Sequence, residues 1–277
     1  MNSIETQGVK IPRLGFGTFR MPGGGCQPVV ESALEMGYRH LDTAAMYDNE
    51  DAVGAAILAS GVPRAELFVT TKVWHDQLGS AEQVQAAFAA SLSKLKLDYV
   101  DLYMVHWPSA TMDMREVLGA MTALRDQGRA RAIGVCNFNL PMLRHAIENL
   151  RAPIATVQVE FHPFMDQSKL LAYLAERSIP LTAYAPLAQG RAATDKTLAA
   201  IGSKHGVSAA QVALAWLLDQ RGVVAIPKAQ RRESQLANLR AQEVRLDEDD
   251  RRTIAALPKN LRYVQPPFAP DWSASSL

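Results

Sequence analysis

At 277 residues the chain is long for one domain but within the span of an α/β barrel that runs as a single unit. It is long enough to bury roughly three quarters of the surface its unfolded chain would expose. Its Lys and Arg (29) nearly balance its Asp and Glu (28), and the net charge of +1 gives no electrostatic case for nucleic acid or an anionic membrane as a bulk partner; any anion site must be local.

The two cysteines, Cys26 and Cys136, have no Cys-x-x-Cys spacing, so neither a disulfide nor a zinc framework is supported and a reducing compartment is expected. The N-terminal stretch MNSIETQGVK lacks the apolar region of a secretory signal. No run approaches the roughly 18 apolar residues of a membrane helix. A soluble, cytoplasmic, monomeric chain without membrane or nucleic-acid partners is the expectation.

In chain order, short apolar, β-branched or aromatic runs alternate with segments of helical period. The strand-like runs are 14–18, 38–42, 67–71, 101–106, 132–136, 156–160, 181–184 and 223–226. Ser80 and Gln83 predict a capping box before Val84, Phe88, Leu92 and Leu95, which share a helix face. Asp113 with Glu116 opens a helix through Val117, Leu118, Met121 and Leu124, and Gly128 can close it. Residues 194–205 read as a helix, Ser208 with Gln211 opens another, and 247–257 forms one after the last strand. Strands alternating with helices imply parallel pairing by crossovers. Eight such units predict an α/β fold of (β/α)8 type, a TIM barrel spanning 1–277 as one domain, although an open doubly wound sheet fits the same rhythm.

Barrel enzymes place their chemistry at the C-terminal strand ends. Asp42, Lys72, His106, Asn137, Gln158, Tyr184 and Lys228 end successive apolar runs. One such residue is as readily a cap or a satisfied buried group; the set points to function. His40, His145, His162 and His205 have structural readings, His75 could line a pocket rim, and no histidine spacing supports a metal.

The blocks HLDTAAMYDNEDAVGAAI, TTKVW and DYVDLYMVHWP resemble the signature segments of the aldo-keto reductases, and IGVCNF, QVEFHP, AYAPLAQG, AIPKAQ and RYVQPPFAPDW extend the likeness over essentially the whole chain. Within that family the chain looks most like the bacterial 2,5-diketo-D-gluconate reductases of the B type, which also reduce methylglyoxal. The resemblance implies an NADPH-dependent oxidoreductase that reduces aldehydes and ketones to alcohols by hydride transfer, acting on small dicarbonyls or keto-sugar acids.

Such a reaction needs a proton donor for the developing alkoxide. A tyrosine stays protonated at neutral pH but donates sluggishly, so a neighbouring ammonium is expected to ease loss of its proton and a carboxylate to keep that ammonium charged. The family pattern puts these roles on Tyr47, Lys72 and Asp42, with His106 orienting the substrate oxygen. Spacing agrees in part. Asp42 ends a strand, Tyr47 follows in its loop, and Lys72 and His106 end the next two strands.

Neither Gly15-Phe16-Gly17 nor Gly23-Gly24-Gly25 fits a dinucleotide fingerprint on a strand–turn–helix unit. The resemblance implies instead a cofactor extended across the barrel mouth. It would meet Gly17, Thr18 and Asp42; Asn137 and Gln158 at the carboxamide; Tyr184 stacked on the nicotinamide; and Ala185, Pro186 and Leu187 along the pyrophosphate. Lys228, Arg231, Arg232 and Asn238 would take the adenosine end. Cys136 and Ala229 stand where the family has serines, and Ser234 where many members have an arginine, so NADH is a second candidate beside NADPH.

Phe19, Met46, Trp74, Trp107 and Trp272 are expected to rim an apolar pocket for a small carbonyl substrate, with Arg262 a candidate for a substrate carboxylate. Two rival functions remain: a catalytically silent cofactor-binding regulatory subunit, and a barrel aldolase or isomerase using Lys72 for a Schiff base.

Overall fold

The computed structural model describes residues 2–273. Its strands are β1 (Ser3–Thr6), β2 (Val9–Pro12), β3 (Phe16–Gly17), β4 (His40–Asp42), β5 (Phe68–Val73), β6 (Val100–Val105), β7 (Ala130–Cys136), β8 (Ile154–Glu160), β9 (Leu181–Tyr184) and β10 (Val223–Ala225). From β3 to β10 they pair in parallel in sequence order. The ring closes where Leu14 bridges Ala225, with Gly15 N–H on the Ala225 carbonyl at 2.9 Å and Gly17 N–H on the Pro227 carbonyl at 3.1 Å. A closed barrel, not an open sheet, is therefore the architecture.

The expected runs coincide with β3–β10 to within two or three residues. Run 14–18 is shortened to two paired residues by its glycines, which lower strand propensity. The β1–β2 hairpin was not foreseen. It plugs the N-terminal end of the barrel, where Val9 and Ile11 pack on Phe68, Leu102, Ala155 and Val224. Thr6 Oγ1 fastens it to the Ala155 carbonyl at 2.9 Å.

Outside the barrel, the helix Ala81–Leu95 lays Val84, Phe88, Leu92 and Leu95 against the strands. Phe88 meets Tyr103 edge-on, with ring centroids 4.6 Å apart. Burying an aromatic or branched side chain of this kind contributes roughly 1.5–3 kcal/mol. Ser80 accepts from Gln83 N–H at 3.3 Å, but the Gln83 side chain accepts from Gly79 N–H rather than returning to Ser80, so only half the expected capping box forms. Likewise Asp113 caps Arg115 and Glu116, while the Glu116 carboxylate turns away to Ala81 N–H. At Ser208 and Gln211 the reciprocal box is complete.

The helix Gly23–Glu35 went unread because three glycines and Pro28 disguise its period. The helix Glu50–Ala59 abuts the end of Ala81–Leu95 so closely that a Cβ on Gly54 would strike the Leu95 carbonyl. That approach fixes the helix following the Tyr47 loop.

Candidate active site

Parallel register and the two-residue alternation of side chains build the upper layer of the barrel interior. Asp42 is opposite Thr70, Lys72 opposite Met104 and Cys136 opposite Gln158. Lys72 is fully buried and Asp42 nearly so. Lys72 Nζ donates to Asp42 Oδ1 at 2.5 Å and to the Thr43 carbonyl at 2.9 Å, and reaches the Tyr47 hydroxyl at 3.5 Å. Gln158 Nε2 donates to the other carboxylate oxygen, Asp42 Oδ2, at 2.8 Å. One buried acid thus holds two side chains in register.

Tyr47 closes a short 3-10 turn, Ala45–Tyr47, followed by Asp48 in the left-handed region (φ 51°). Asn49 pins that turn. Its Nδ2 donates to the Thr18 and Met21 carbonyls at 3.0 and 2.9 Å, and its Oδ1 accepts from Thr43 Oγ1 at 3.1 Å. Sequence reasoning passed over Asn49. Its position in the YDNE run was the available signal, but an asparagine alone reads as a turn former.

His106 directly follows β6. Its ring meets Tyr47 at 5.4 Å and Trp74 at 5.0 Å between centroids, and its Nδ1 is buried without a hydrogen-bond partner. Asn137 sits beyond β7 with φ 60°, a conformation asparagine tolerates better than most residues. Asn137 Nδ2 donates to the His106 carbonyl at 2.9 Å, and Tyr184 Oη donates to Asn137 Oδ1 at 2.8 Å. Asp42, Tyr47, Lys72, His106, Asn137, Gln158 and Tyr184 therefore converge on one mouth.

Their electrostatics follow from burial and mutual charge. Burial opposes the charge on Lys72, but Asp42 and the neighbouring hydroxyl outweigh it and hold the ammonium above its usual range. Burial pushes the Tyr47 phenol up to about 12, and Lys72 offsets only part of that rise. The lowered tyrosine expected from sequence is thus reversed, because desolvation exceeds the attraction of the ammonium. Burial, then the charges of Lys72 and His75, hold the His106 imidazole well below its ordinary value, so it is neutral at pH 7.

The pocket residues also assemble. Phe19 meets Tyr47 at 5.0 Å, Trp107 is buried, and Trp272 lies 6.4 Å from Trp107 between ring centroids; Phe19 and Met46 stay exposed. Phe268 joins this wall 5.8 Å from Trp74, 5.6 Å from Trp107 and 4.2 Å from His75. Sequence reasoning passed over Phe268.

Beyond Tyr184 the backbone enters the left-handed region at Ala185, Ala188, Gln189 and Gly190. Non-glycine residues are held there only where surrounding structure demands it. Thr18 Oγ1 donates to the Asp42 carbonyl at 3.2 Å, beside Gly17. Lys228 and Arg231 are exposed, whereas Arg232 pairs with Glu35 at 2.7 Å. Asn238 is buried on the helix Arg232–Arg240. On the same helix Gln235 bridges Ser32 Oγ and the Val29 and Ala229 carbonyls, a structural role no local pattern signals.

Among the described residues, no group of three or more His, Cys, Asp or Glu side chains is arranged to hold a metal ion, and no helix is long and apolar enough to cross a membrane.

A family model described as the aldo/keto reductase family matches residues 13–259. The chain is 42% identical over 266 residues to the methylglyoxal reductase DkgB of Escherichia coli O157:H7, covering 95% of this chain and 99% of that protein. It is 40% identical over 256 residues to a glyoxal reductase of Bacillus subtilis strain 168, covering 92% of each. Among solved structures it is similar to that of a candidate 2,5-diketo-D-gluconic acid reductase B, with a TM-score of 0.95 and 40% identity over 98% of this chain and 97% of that one.

Proposed function

The chain belongs to the aldo/keto reductase family, and from that premise we propose that it reduces small aldehydes and ketones, dicarbonyls such as methylglyoxal and keto-sugar acids such as 2,5-diketo-D-gluconate among them, with Tyr47 as general acid and NADPH as preferred hydride source. The observation that carries the reading is the sealed Lys72–Asp42 pair with the Tyr47 hydroxyl 3.5 Å from the ammonium.

A bound reduced nicotinamide supplies the hydride. The chain's own side chains manage the oxygen and its proton. Tyr47 keeps its proton at neutral pH, since burial pushes the phenol up to about 12. A developing alkoxide has a conjugate acid about as weak as water (pKa ~15.7), so it still draws that proton from Tyr47. Lys72 steadies the phenolate left behind, and Asp42 keeps Lys72 charged and aimed. The neutral His106 ring offers a hydrogen bond to the carbonyl oxygen and fixes its approach. The aromatic wall excludes water and strengthens these interactions.

Several features fit a nicotinamide dinucleotide. Tyr184 presents a ring held by Asn137, Gln158 is tied to Asp42, and the backbone is left-handed at Ala185 and Ala188, on the stretch where Pro186 and Leu187 would follow the pyrophosphate. Gly17 and Thr18 would flank the cofactor near Asp42. Exposed Lys228 and Arg231 suit a 2′-phosphate, with Asn238 close by on the helix that Arg231 opens. Arg232 would first have to leave Glu35, which makes NADH a plausible second cofactor.

A Schiff base on Lys72 would need a neutral amine, and the Asp42 carboxylate opposes that state. Steady-state oxidation of NADPH and NADH with methylglyoxal and a panel of aldehydes tests the proposal. Turnover with a higher kcat/KM for NADPH is expected. Cofactor binding without turnover would instead identify a silent subunit, and borohydride trapping of substrate on Lys72 would identify an aldolase.

A further inference from the structure

The loop that would receive the adenosine end of the cofactor is held from behind by one buried glutamine. Lys228, Gln230 and Arg231 are exposed, while Ala229 between them is buried. Two carbonyls of the loop are clamped. Gly17 N–H donates to that of Pro227 at 3.1 Å, and Gln235 Nε2 donates to that of Ala229 at 3.2 Å. Gln235 is fully buried and also grips the helix Gly23–Glu35. Its Nε2 donates to the Val29 carbonyl at 3.0 Å, and its Oε1 accepts from Ser32 Oγ at 2.7 Å. Just past that helix, the Tyr38 hydroxyl donates to the Gln235 carbonyl at 2.9 Å.

An apolar side chain of similar volume would pack the helix Arg232–Arg240 on the helix Gly23–Glu35; what the amide adds is a donor for the loop carbonyl. Three residues before Gln235, on the same helix face, Arg232 is drawn to the same neighbour. It pairs with Glu35 at 2.7 Å and donates to Ser32 Oγ at 3.4 Å. The helix Gly23–Glu35 therefore acts on the loop twice. Through Gln235 it fixes the backbone between Lys228 and Arg231, and through Glu35 it neutralises the next cation. A loop already fixed binds a phosphate without the cost of ordering its side chains and backbone.

We propose that the helix Gly23–Glu35 sets the strength of the preference for NADPH over NADH. Gln235 is a positioning residue that presents Lys228 and Arg231 to the 2′-phosphate, and Glu35 competes with that phosphate for Arg232. This inference rests on the cofactor reading above and deepens it.

The test is fluorescence titration of the full chain with NADPH and with NADH, without substrate, read as the Kd for NADH divided by the Kd for NADPH. Gln235→Met keeps nearly the same shape and removes the three side-chain hydrogen bonds. The ratio should then fall by about tenfold, the size of one charge-assisted hydrogen bond to phosphate, with the change lying in the Kd for NADPH. Ser32→Ala only loosens the amide and should move the ratio the same way by less, which keeps the test alive if Gln235→Met fails to fold. Glu35→Gln releases Arg232 and should raise the ratio, by up to about fivefold, the ceiling for an exposed ion pair. Thermal unfolding checks that each variant is folded. A Gln235 that serves packing alone would lower the melting temperature and weaken both cofactors alike. A ratio unchanged in Gln235→Met and Ser32→Ala, or not raised in Glu35→Gln, overturns the proposal while leaving the cofactor reading intact. If the unaltered chain binds NADH as tightly as NADPH, the NADPH preference itself fails and takes this inference with it.

Discussion

The two ends of the barrel both bury charge, and they treat it differently. At the N-terminal end Asp101 accepts from Val69 N–H at 2.9 Å and pairs with Arg64 at 2.7 Å and Arg131 at 3.3 Å. The two guanidiniums also lie over Tyr99, at 4.1 and 4.2 Å. Both cations keep some contact with water, and the acid is answered from three sides. At the C-terminal end Lys72 and Asp42 are sealed together, Tyr47 hangs at the long distance of 3.5 Å, and His106 Nδ1, Arg262 Nη1 and Trp272 Nε1 have no partner. At the N-terminal end only Arg64 Nε of the Asp101 cluster lacks a partner, against three buried nitrogens at the other, so the fold has divided its work between holding the strands and receiving a ligand.

The largest test of that division is Tyr47→Phe. Loss of the proposed general acid should lower kcat by about 10²–10⁴-fold, while cofactor affinity measured by fluorescence stays near its original value. Near-normal turnover would end the mechanism. Asp42→Asn should follow in size: it leaves a buried ammonium without its counter-charge, a loss of about 3–5 kcal/mol of stability. Asp101→Asn, at the other end, leaves cations that can turn to water, so urea unfolding should show only about 1–3 kcal/mol and kcat should hold. Equal losses at the two acids would erase the contrast.

The pH dependence sharpens it further. Tyr47 stays protonated up to about 12, and His106 stays neutral down to well below its ordinary value. Carbonyl reduction needs the protonated phenol, so its rate should be flat across neutral pH and fall only as pH rises toward the tyrosine's range. Alcohol oxidation needs the phenolate, so its rate should climb about tenfold per pH unit through the same interval. A bell centred near pH 7 in the reductive direction would show that a different group carries the proton.

Much of this was legible in the chain. Period and composition located the eight barrel strands, because buried parallel strands are continuous apolar runs, and the polar residues ending them pointed to the mouth at which the candidate site assembles. Other features were hidden for physical reasons. Closure of the ring depends on Leu14 meeting Ala225, more than 200 positions away, and no local pattern encodes that contact. The opposite shift of Tyr47 was likewise invisible: sequence shows the ammonium that lowers a phenol but not the burial that outweighs it. Glu160 reads as one more strand residue until residues 263 and 264 return to it.

Within the N-terminal cluster itself, Arg131→Ala should have the smallest effect. Its side chain is 46% exposed against 20% for Arg64, and its contact with Asp101 is longer, 3.3 Å against 2.7 Å. Water screens such a pair, so the expected cost is about 0.2–1 kcal/mol with kcat unchanged. Arg64→Ala should cost more, because Arg64 also donates to the Leu67 and Tyr99 carbonyls, tying the start of β5 to the start of β6. If Arg131→Ala destabilises as much as Arg64→Ala, the two guanidiniums stacked on Tyr99 act as one unit, and a double-mutant cycle should then return a coupling energy well above the few tenths of a kcal/mol that independent sites show. In that case the closed end owes its stability to a cooperative Arg–Tyr–Arg stack around Asp101 rather than to one strong ion pair and one weak one.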